Sequence, residues 1–208
     1  MMVKKKEVMA KERIIEAAIE EFSKYGLNGT RVEQITKKAN INKAMLFYYF
    51  GSKKNLYELI VKKTVKVLLS SIRELILPNL SAETFLERFP AIYIDFFSRN
   101  RHFVNMLSLD MIQNPEFMTR LFSNAFKEKF GDKPAPLEQM VNRWFENGEI
   151  SESSSTHFML NIMSLVIFPF IFKPIPEAIL GKTAESDQTF FEYRKKSIEN
   201  ILKRGLLT

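Results

Sequence analysis

Residues 30–50, TRVEQITKKANINKAMLFYYF, constrain this chain more than any other segment, because their capping chemistry dictates two short helices joined by a tight turn. Thr30 followed by Glu33 reads as a capping box, in which the threonine hydroxyl accepts from the backbone N–H of residue 33 and Glu33 reaches back to the N–H of residue 30. A helix is predicted to start there, to bury Val32, Ile35, Thr36 and Ala39, and to end near Asn40, a residue that tolerates the left-handed conformation. Asn42 then caps a second helix, with Ile41 placed as a hydrophobic staple. Upstream, Ile15, Ala18, Ile19, Phe22 and Tyr25 recur at helical spacing on a first helix that Gly26 stops. On the last helix of the three, Leu46 and Phe50 read as core and Phe47 as packing on the first helix, whereas Met45 and Tyr48 lie on another face.

Charge sets this three-helix unit apart. Residues 1–63 carry 14 Lys or Arg against 7 Asp or Glu, while the remaining 145 residues carry 17 of each. A basic head on a neutral body suits a polyanionic partner. Lys43, Lys53 and Lys54 fall in the first turns of predicted helices, where the helix dipole disfavours cations. A DNA phosphate at those N-termini would receive both the backbone N–H groups and the lysine charge; the alternative for each lysine alone is solvated surface. The amino-terminal MMVKKKEVMAK is open to two readings, a phosphate-seeking arm or a mobile charged terminus.

The segment resembles the TetR family of one-component transcription regulators. The residues that carry the resemblance are Tyr25 and Gly26, then Thr30, Val32, Ile35, Ala39, Ile41, Asn42, Lys43, Leu46, the run Phe47, Tyr48, Tyr49, Phe50, and Ser52 with Lys53. It covers roughly residues 10 to 60 and departs at Asn40, Ala44 and Met45, where the family favours Gly, Gly or Pro, and a small or hydroxyl residue. The resemblance implies a recognition helix over residues 42–49, with Lys43, Ala44, Met45 and Tyr48 at base edges and Tyr49 and Lys53 at phosphates. Thr30, Arg31 and Asn42 complete the expected DNA-binding set.

Elsewhere the seven glycines fall at plausible helix ends and no stretch sustains strand alternation, so the fold is expected to be all-α. Helices are predicted near 6–25, 31–38, 42–49, 53–77, 82–99, 101–112, 115–130, 135–147, 153–173 and 187–204, with Pro78, Pro115, Pro134 and Pro136 near boundaries and Pro90 and Pro169 inside helices as kinks. The division expected is a helix-turn-helix DNA-binding domain over 1–52 and a helical effector-binding and dimerisation domain over 53–208. The helix starting at 53 then belongs to both regions and can transmit a ligand's effect. There is no cysteine, so disulfide and thiolate chemistry are excluded. No cofactor, metal or membrane partner is expected, and the start lacks a signal peptide's apolar core, consistent with a cytoplasmic protein. The apolar run 158–172, interrupted by Asn161, Ser164 and Pro169, is shorter than the ~20 residues of a membrane span and reads as a buried helix.

The body is rich in Phe and Met, which suit both an ordinary core and the wall of an apolar cavity. The family resemblance implies a small hydrophobic effector in this body; candidate contacts are Phe89, Tyr93, Phe96, Met106, Met118, Trp144 and the polar Asn161, which is equally placed to bond across a dimer. Phe191, Ile198, Ile201 and Leu202 form an apolar stripe, and with the preceding helix they are expected to build a homodimer that reads a palindromic DNA operator. Enzyme chemistry has no support: His102 and His157 are the only histidines, and no glycine-rich phosphate loop, HExxH or GxSxG element occurs. A basic helical protein lying on anionic lipid, or binding nucleic acid without specificity, is the alternative, but neither requires the helix-turn-helix register.

Overall fold

The computed structural model describes residues 2–76, 79–131, 136–181 and 186–208, and the main chain alone for residues 2–6. Its elements are helices α1 (Met2–Gly29), α2 (Val32–Ala39), α3 (Lys43–Phe50), α4 (Lys53–Ser71), α5 (Ala82–Arg99), α6 (Arg101–Gln113), α7 (Pro115–Phe130), α8 (Pro136–Glu146), α9 (Ser155–Phe172), α10 (Pro174–Ile179) and α11 (Asp187–Leu206), with a 3-10 turn at Arg73–Leu75 after α4. An isolated antiparallel bridge pairs Ile150 with Leu207. The fold is all-α. Pro78 and Pro134 lie outside the described residues, as do the last residues of the helix predicted to 77; the described part of that helix ends at Ser71.

The chain forms two compact units, Met1–Val67 with Arg101–Phe126, and Leu68–Asn100 with Lys127–Thr208. This differs from the sequence division at residue 52, since α6 and most of α7 join the first unit and α4 contributes its last turn to the second.

In the first unit α1 buries Ala10, Ile14, Ala17, Ala18 and Phe22. The buried face is centred slightly away from the predicted one: Ile15 and Ile19 are half-buried and Tyr25 is exposed. Gly26 breaks α1 at φ 67°, a conformation that a side chain would strain, and the chain rewinds for one turn to Gly29. The broken end leaves carbonyls without helical donors, and this corrects the predicted capping box. The Thr30 hydroxyl is buried and donates backwards to the carbonyls of Gly26 (2.8 Å) and Glu21 (3.1 Å). Arg31 is the N-cap of α2, and its N–H donates to the Gln34 side chain at 2.9 Å. Asn40 closes α2 in the left-handed conformation, φ 51°, and the Asn42 side chain accepts from the Met45 N–H at 2.9 Å, both as expected. Ser52 opens α4 by accepting from the Asn55 N–H at 3.0 Å.

The core of the second unit is an aromatic column. On α5 the rings of Phe85, Phe89 and Tyr93 stack at centroid spacings of 4.7 and 4.3 Å, and Trp144 of α8 and Phe158 of α9 pack against Phe85. Each such ring stabilises by about 1.5–3 kcal/mol on burial, and Trp144 also satisfies its indole N–H on the Leu80 carbonyl at 2.8 Å. Helix α11 lays Phe191, Ile198, Leu202 and Leu206 into the same unit. Three members of the predicted dimer stripe are therefore core of the protomer itself, and Ile201 alone of the four is exposed. Helix α10 was not expected, although Pro174 at its first turn and Glu177 beside it are helix-starting signals.

Pro169 sits inside α9 and has no N–H to give the carbonyl of Leu165. Arg194 of α11 supplies the missing donor, its Nη2 lying 3.1 Å from that oxygen. The same guanidinium leaves its Nε buried without a hydrogen-bond partner, and burial lowers its pKa. Because one residue creates the vacancy the other fills, Pro169→Ala and Arg194→Met should be coupled. A double-mutant cycle by urea unfolding is expected to show ~0.5–3 kcal/mol of interaction, with Arg194→Met less costly once Pro169→Ala has restored the helical N–H; additive effects would detach the two residues.

Candidate nucleic-acid interface

Helix α3, the expected recognition helix, is anchored by one fully buried side chain. Leu46 is fully buried, whereas Tyr48 is 80% exposed and Lys43 and Ala44 are exposed beside it. Met45, Tyr49 and Phe50 are half-buried. Two expectations change here: Phe50 is not a full core residue, and Phe47 is 45% exposed instead of packed away. An eight-residue helix beside a tight turn has too little neighbouring structure to cover four consecutive aromatics. Tyr49 packs edge-on to Tyr48 at 5.2 Å and carries the Lys11 ammonium 5.1 Å from its ring centre, tying the outer side of α3 to α1.

Two of the three lysines placed against the helix dipole, Lys43 and Lys53, have hydrogen-bond partners within the protein. Lys43 forms an ion pair with Glu33 of α2, and that hydrogen bond holds the Glu33 carboxyl below its ordinary pKa. Both groups are largely exposed, so solvent screens the pair and it contributes little to stability. Lys53 donates to the carbonyls of Thr30 (2.6 Å) and Asn28 (3.4 Å). Its ammonium thus sits at the end of α1, where a cation is favoured, as well as at the start of α4. Thr30 leaves the set of DNA-contacting side chains, because its buried hydroxyl is spent on α1 carbonyls. Arg31 and Asn42 remain at the surface, Asn42 with its side-chain oxygen engaged as the cap of α3.

The residue that holds this head together is one that sequence reasoning missed. Asp110 of α6 has no exposed surface. Both of its carboxylate oxygens accept from the Leu27 N–H at 3.2 Å, Oδ2 accepts from the Tyr57 hydroxyl at 2.5 Å, and Oδ1 accepts from Asn114 Nδ2 at 3.0 Å. A buried carboxylate costs several kcal/mol unless it is hydrogen-bonded, and here the donors come from α1, from α4 and from Asn114, which follows α6. Burial, then the bond to Asp110 and its charge, push the Tyr57 phenol far above its ordinary range. A Cβ on Gly26 would lie 3.3 Å from Asp110 Oδ1, so the glycine serves both the turn and the close approach. Ser23 with His102 of α6 (3.0 Å) and Asn28 with Asn114 just after α6 (3.1 Å) add further contacts to α1. The available signal was spacing: Asp110 lies seven residues after Phe103 and four after Met106, on the buried face of α6.

The seven candidate effector contacts do not form one wall within either unit. Phe89, Tyr93, Phe96 and Trp144 are buried in the second unit, whereas Met106 and Met118 are buried in the first, Met118 against the Tyr57 hydroxyl. Asn161 is exposed on α9. Burial pushes the Tyr93 phenol well above its ordinary range. An open groove of about 360 Å³ between α8 and α9, lined by Leu137, Met159, Leu160 and Met163 among others, contains none of the seven. Among the described residues no three His, Asp or Glu converge as metal ligands. By length and composition α9 is apolar enough to cross a membrane; only Phe158, Ile162, Val166 and Pro169 of it are buried, which corrects the expectation of a buried helix, because one face alone packs on the unit's core.

If the Asp110 cluster fixes the head, Tyr57→Phe, which keeps the ring and deletes one donor to a buried charge, should cost about 1.5–3 kcal/mol in urea unfolding at neutral pH. Gly26→Ala should cost ~1–3 kcal/mol through backbone strain and the approach to Asp110. A loss below the error of the measurement for Tyr57→Phe would remove the hydroxyl from the account of stability.

Comparison with known proteins agrees with this geometry. Residues 14–60, which contain α2, α3 and most of the first turns around them, match the family described as bacterial regulatory proteins, tetR family. The chain is 25% identical over 199 residues to the HTH-type transcriptional regulator RutR of Escherichia coli, covering 94% of this chain and 90% of that protein. It is 32% identical over 159 residues to the HTH-type transcriptional repressor NicS of Pseudomonas putida, covering 76% and 74%. Its fold is similar to a solved transcriptional regulator from Aquifex aeolicus, with a TM-score of 0.63, 23% identity and coverage of 94% and 98%. The likeness to NicS over most of both chains shows the family: this chain belongs to the TetR family of bacterial regulatory proteins and is a DNA-binding transcription regulator.

Proposed function

We propose that the protein is a cytoplasmic homodimeric repressor that reads a palindromic operator through α3 and leaves it when a small hydrophobic effector binds. The observation that carries the DNA reading is the 80% exposure of Tyr48 on a short helix whose opposite face is anchored by the fully buried Leu46. Such a ring is available to pack on a thymine methyl while its hydroxyl hydrogen-bonds at a base edge or phosphate. Lys43, Ala44 and Met45 share the base-edge role, with Arg31 and Tyr49 at the backbone. Lys53, holding the carbonyls of Asn28 and Thr30, positions the start of α4 beside the phosphates and has a third N–H to offer.

Repression is supported by the likeness to NicS, whose name is that of a repressor. Dimerisation through α9 and α11 is supported by the apolar surface left open there: Leu160, Phe168, Ile171 and Phe172 on α9, and Tyr193 and Ile201 on α11. A two-fold pair would present two α3 helices about one turn of DNA apart, or a multiple, which calls for a palindrome. The membrane alternative leaves the helix-turn-helix register without a role. To move the dimer from 99:1 in favour of the DNA-competent state to 1:99, the effector must prefer the other state by roughly 5.5 kcal/mol.

Selection of bound sequences from random duplex DNA tests this reading, with enrichment of a palindrome expected and no sequence preference counting against it. On the selected operator Tyr48→Ala should cost about 1–3 kcal/mol of affinity while leaving the unfolding midpoint nearly unchanged, because the ring is mostly in solvent. A large loss of stability with a matching loss of affinity would mean that the wrong face of α3 has been placed in the groove.

A further inference from the structure

We propose that Lys54 of α4 and Arg120 of α7 form a second clamp on the DNA backbone, outside the helix-turn-helix, that grips phosphate flanking each half-site. The inference rests on the DNA-reading function above. Its starting point is the ring of Phe117, which carries two cations: Lys54 Nζ lies 5.1 Å and the Arg120 guanidinium carbon 5.6 Å from its centre. The two heads are therefore no farther apart than about a Debye length, ~10 Å at 0.1 M salt, and repel one another. Phe117 itself packs at 6.1 Å on Tyr57, which is fixed by Asp110, so the platform is attached to the buried cluster that holds the head.

Ordinary helix-surface chemistry would have neutralised both cations. Glu58 stands four residues after Lys54 on α4, and Glu116 four residues before Arg120 on α7, the spacing at which opposite charges pair along a helix. Among the described residues neither pair forms, and no other carboxylate is within ion-pair distance of Lys54 or Arg120. Both side chains lie over the ring and both residues are exposed. Stacking on an aromatic face orders a long cation while leaving its N–H groups free, so the arrangement presents positive charge that is ordered, unneutralised and short of an anion.

The location selects the anion. Lys54 directly follows Lys53, which sits at the corner of α1 and α2, and it lies in the first turn of α4, where free backbone N–H groups add to the attraction for phosphate. That end of α4 follows α3 after a two-residue connection, so a duplex engaged by Tyr48 brings its own backbone toward the clamp. A continuous row of phosphates satisfies two fixed cations without requiring a sequence, so the clamp adds affinity and register and leaves base preference to α3.

Fluorescence anisotropy on the selected operator, carried in a long duplex and in one trimmed to the palindrome, tests the clamp. On the long duplex Arg120→Ala and Lys54→Ala should each lower the log–log salt slope by about 1 per subunit and leave the ranking of operator variants unchanged. Trimming the flanks should abolish the difference from wild type. Phe117→Leu, which keeps both charges and frees them from the ring, should weaken binding to the long duplex, with its melting temperature measured alongside to confirm folding. An unchanged slope for Arg120→Ala and Lys54→Ala, while Tyr48→Ala still loses affinity, overturns the clamp and leaves the reading head intact. A wild-type protein that selects no sequence overturns the DNA reading and the clamp together.

Discussion

A carboxylate with no exposed surface organises the first unit of this protein. Asp110 accepts hydrogen bonds from the broken end of α1, from α4 and from Asn114 just past its own helix, and a charge so buried tolerates no vacancy among its donors. The Leu27 N–H is available to it because Gly26 interrupts α1 one residue earlier. The same corner places the Thr30 hydroxyl on the Gly26 carbonyl and the Lys53 ammonium on the Thr30 carbonyl, next to the starts of α2 and α4. Capping, burial and charge at the corner of α1 and α2 therefore form one system.

That system leaves much of the outer side of α3 open, Tyr48 above all, although Tyr49 carries Lys11. The positions that could have tied the recognition helix down are occupied inward, by Leu46 and by the Asn42 cap, while Tyr48 has almost no cover. Lys43 is held by Glu33 across an exposed ion pair, and exchanging that partner for DNA costs little because such pairs are weak in water. Placement of the exposed side chains of α3 is thus decided by structure behind the helix.

Much of this was legible in the chain because local signals agreed with one another. The Asn42 cap, the left-handed Asn40, the break at Gly26 and the exposure of Tyr48 each follow from a few neighbouring residues. What escaped depended on contacts distant in sequence. Thr30 and Arg31 compete for the start of α2, and the carbonyls of α1 decide the contest by claiming the Thr30 hydroxyl. The bonds of Lys53 to the carbonyls of Asn28 and Thr30 join residues more than twenty positions apart, beyond the reach of any local signal. The stripe of α11 announces burial but not against what, so Phe191, Ile198 and Leu202 resembled an interface while belonging to the core of their own protomer. The aromatic and methionine residues of the body carry the same ambiguity, since periodicity does not distinguish the wall of a cavity from a packed interior.

The hold of Asp110 on the end of α1 is tested most directly by native-state hydrogen exchange at the Leu27 amide. An N–H that follows a helix break would ordinarily exchange as fast as a fraying terminus. Bonded to a buried carboxylate, it should exchange as slowly as the interior amides of α1 and be released with global unfolding. Exchange at the rate of a solvent-exposed loop would contradict the carboxylate's hold on α1 and leave the reading head without the anchor assigned to it.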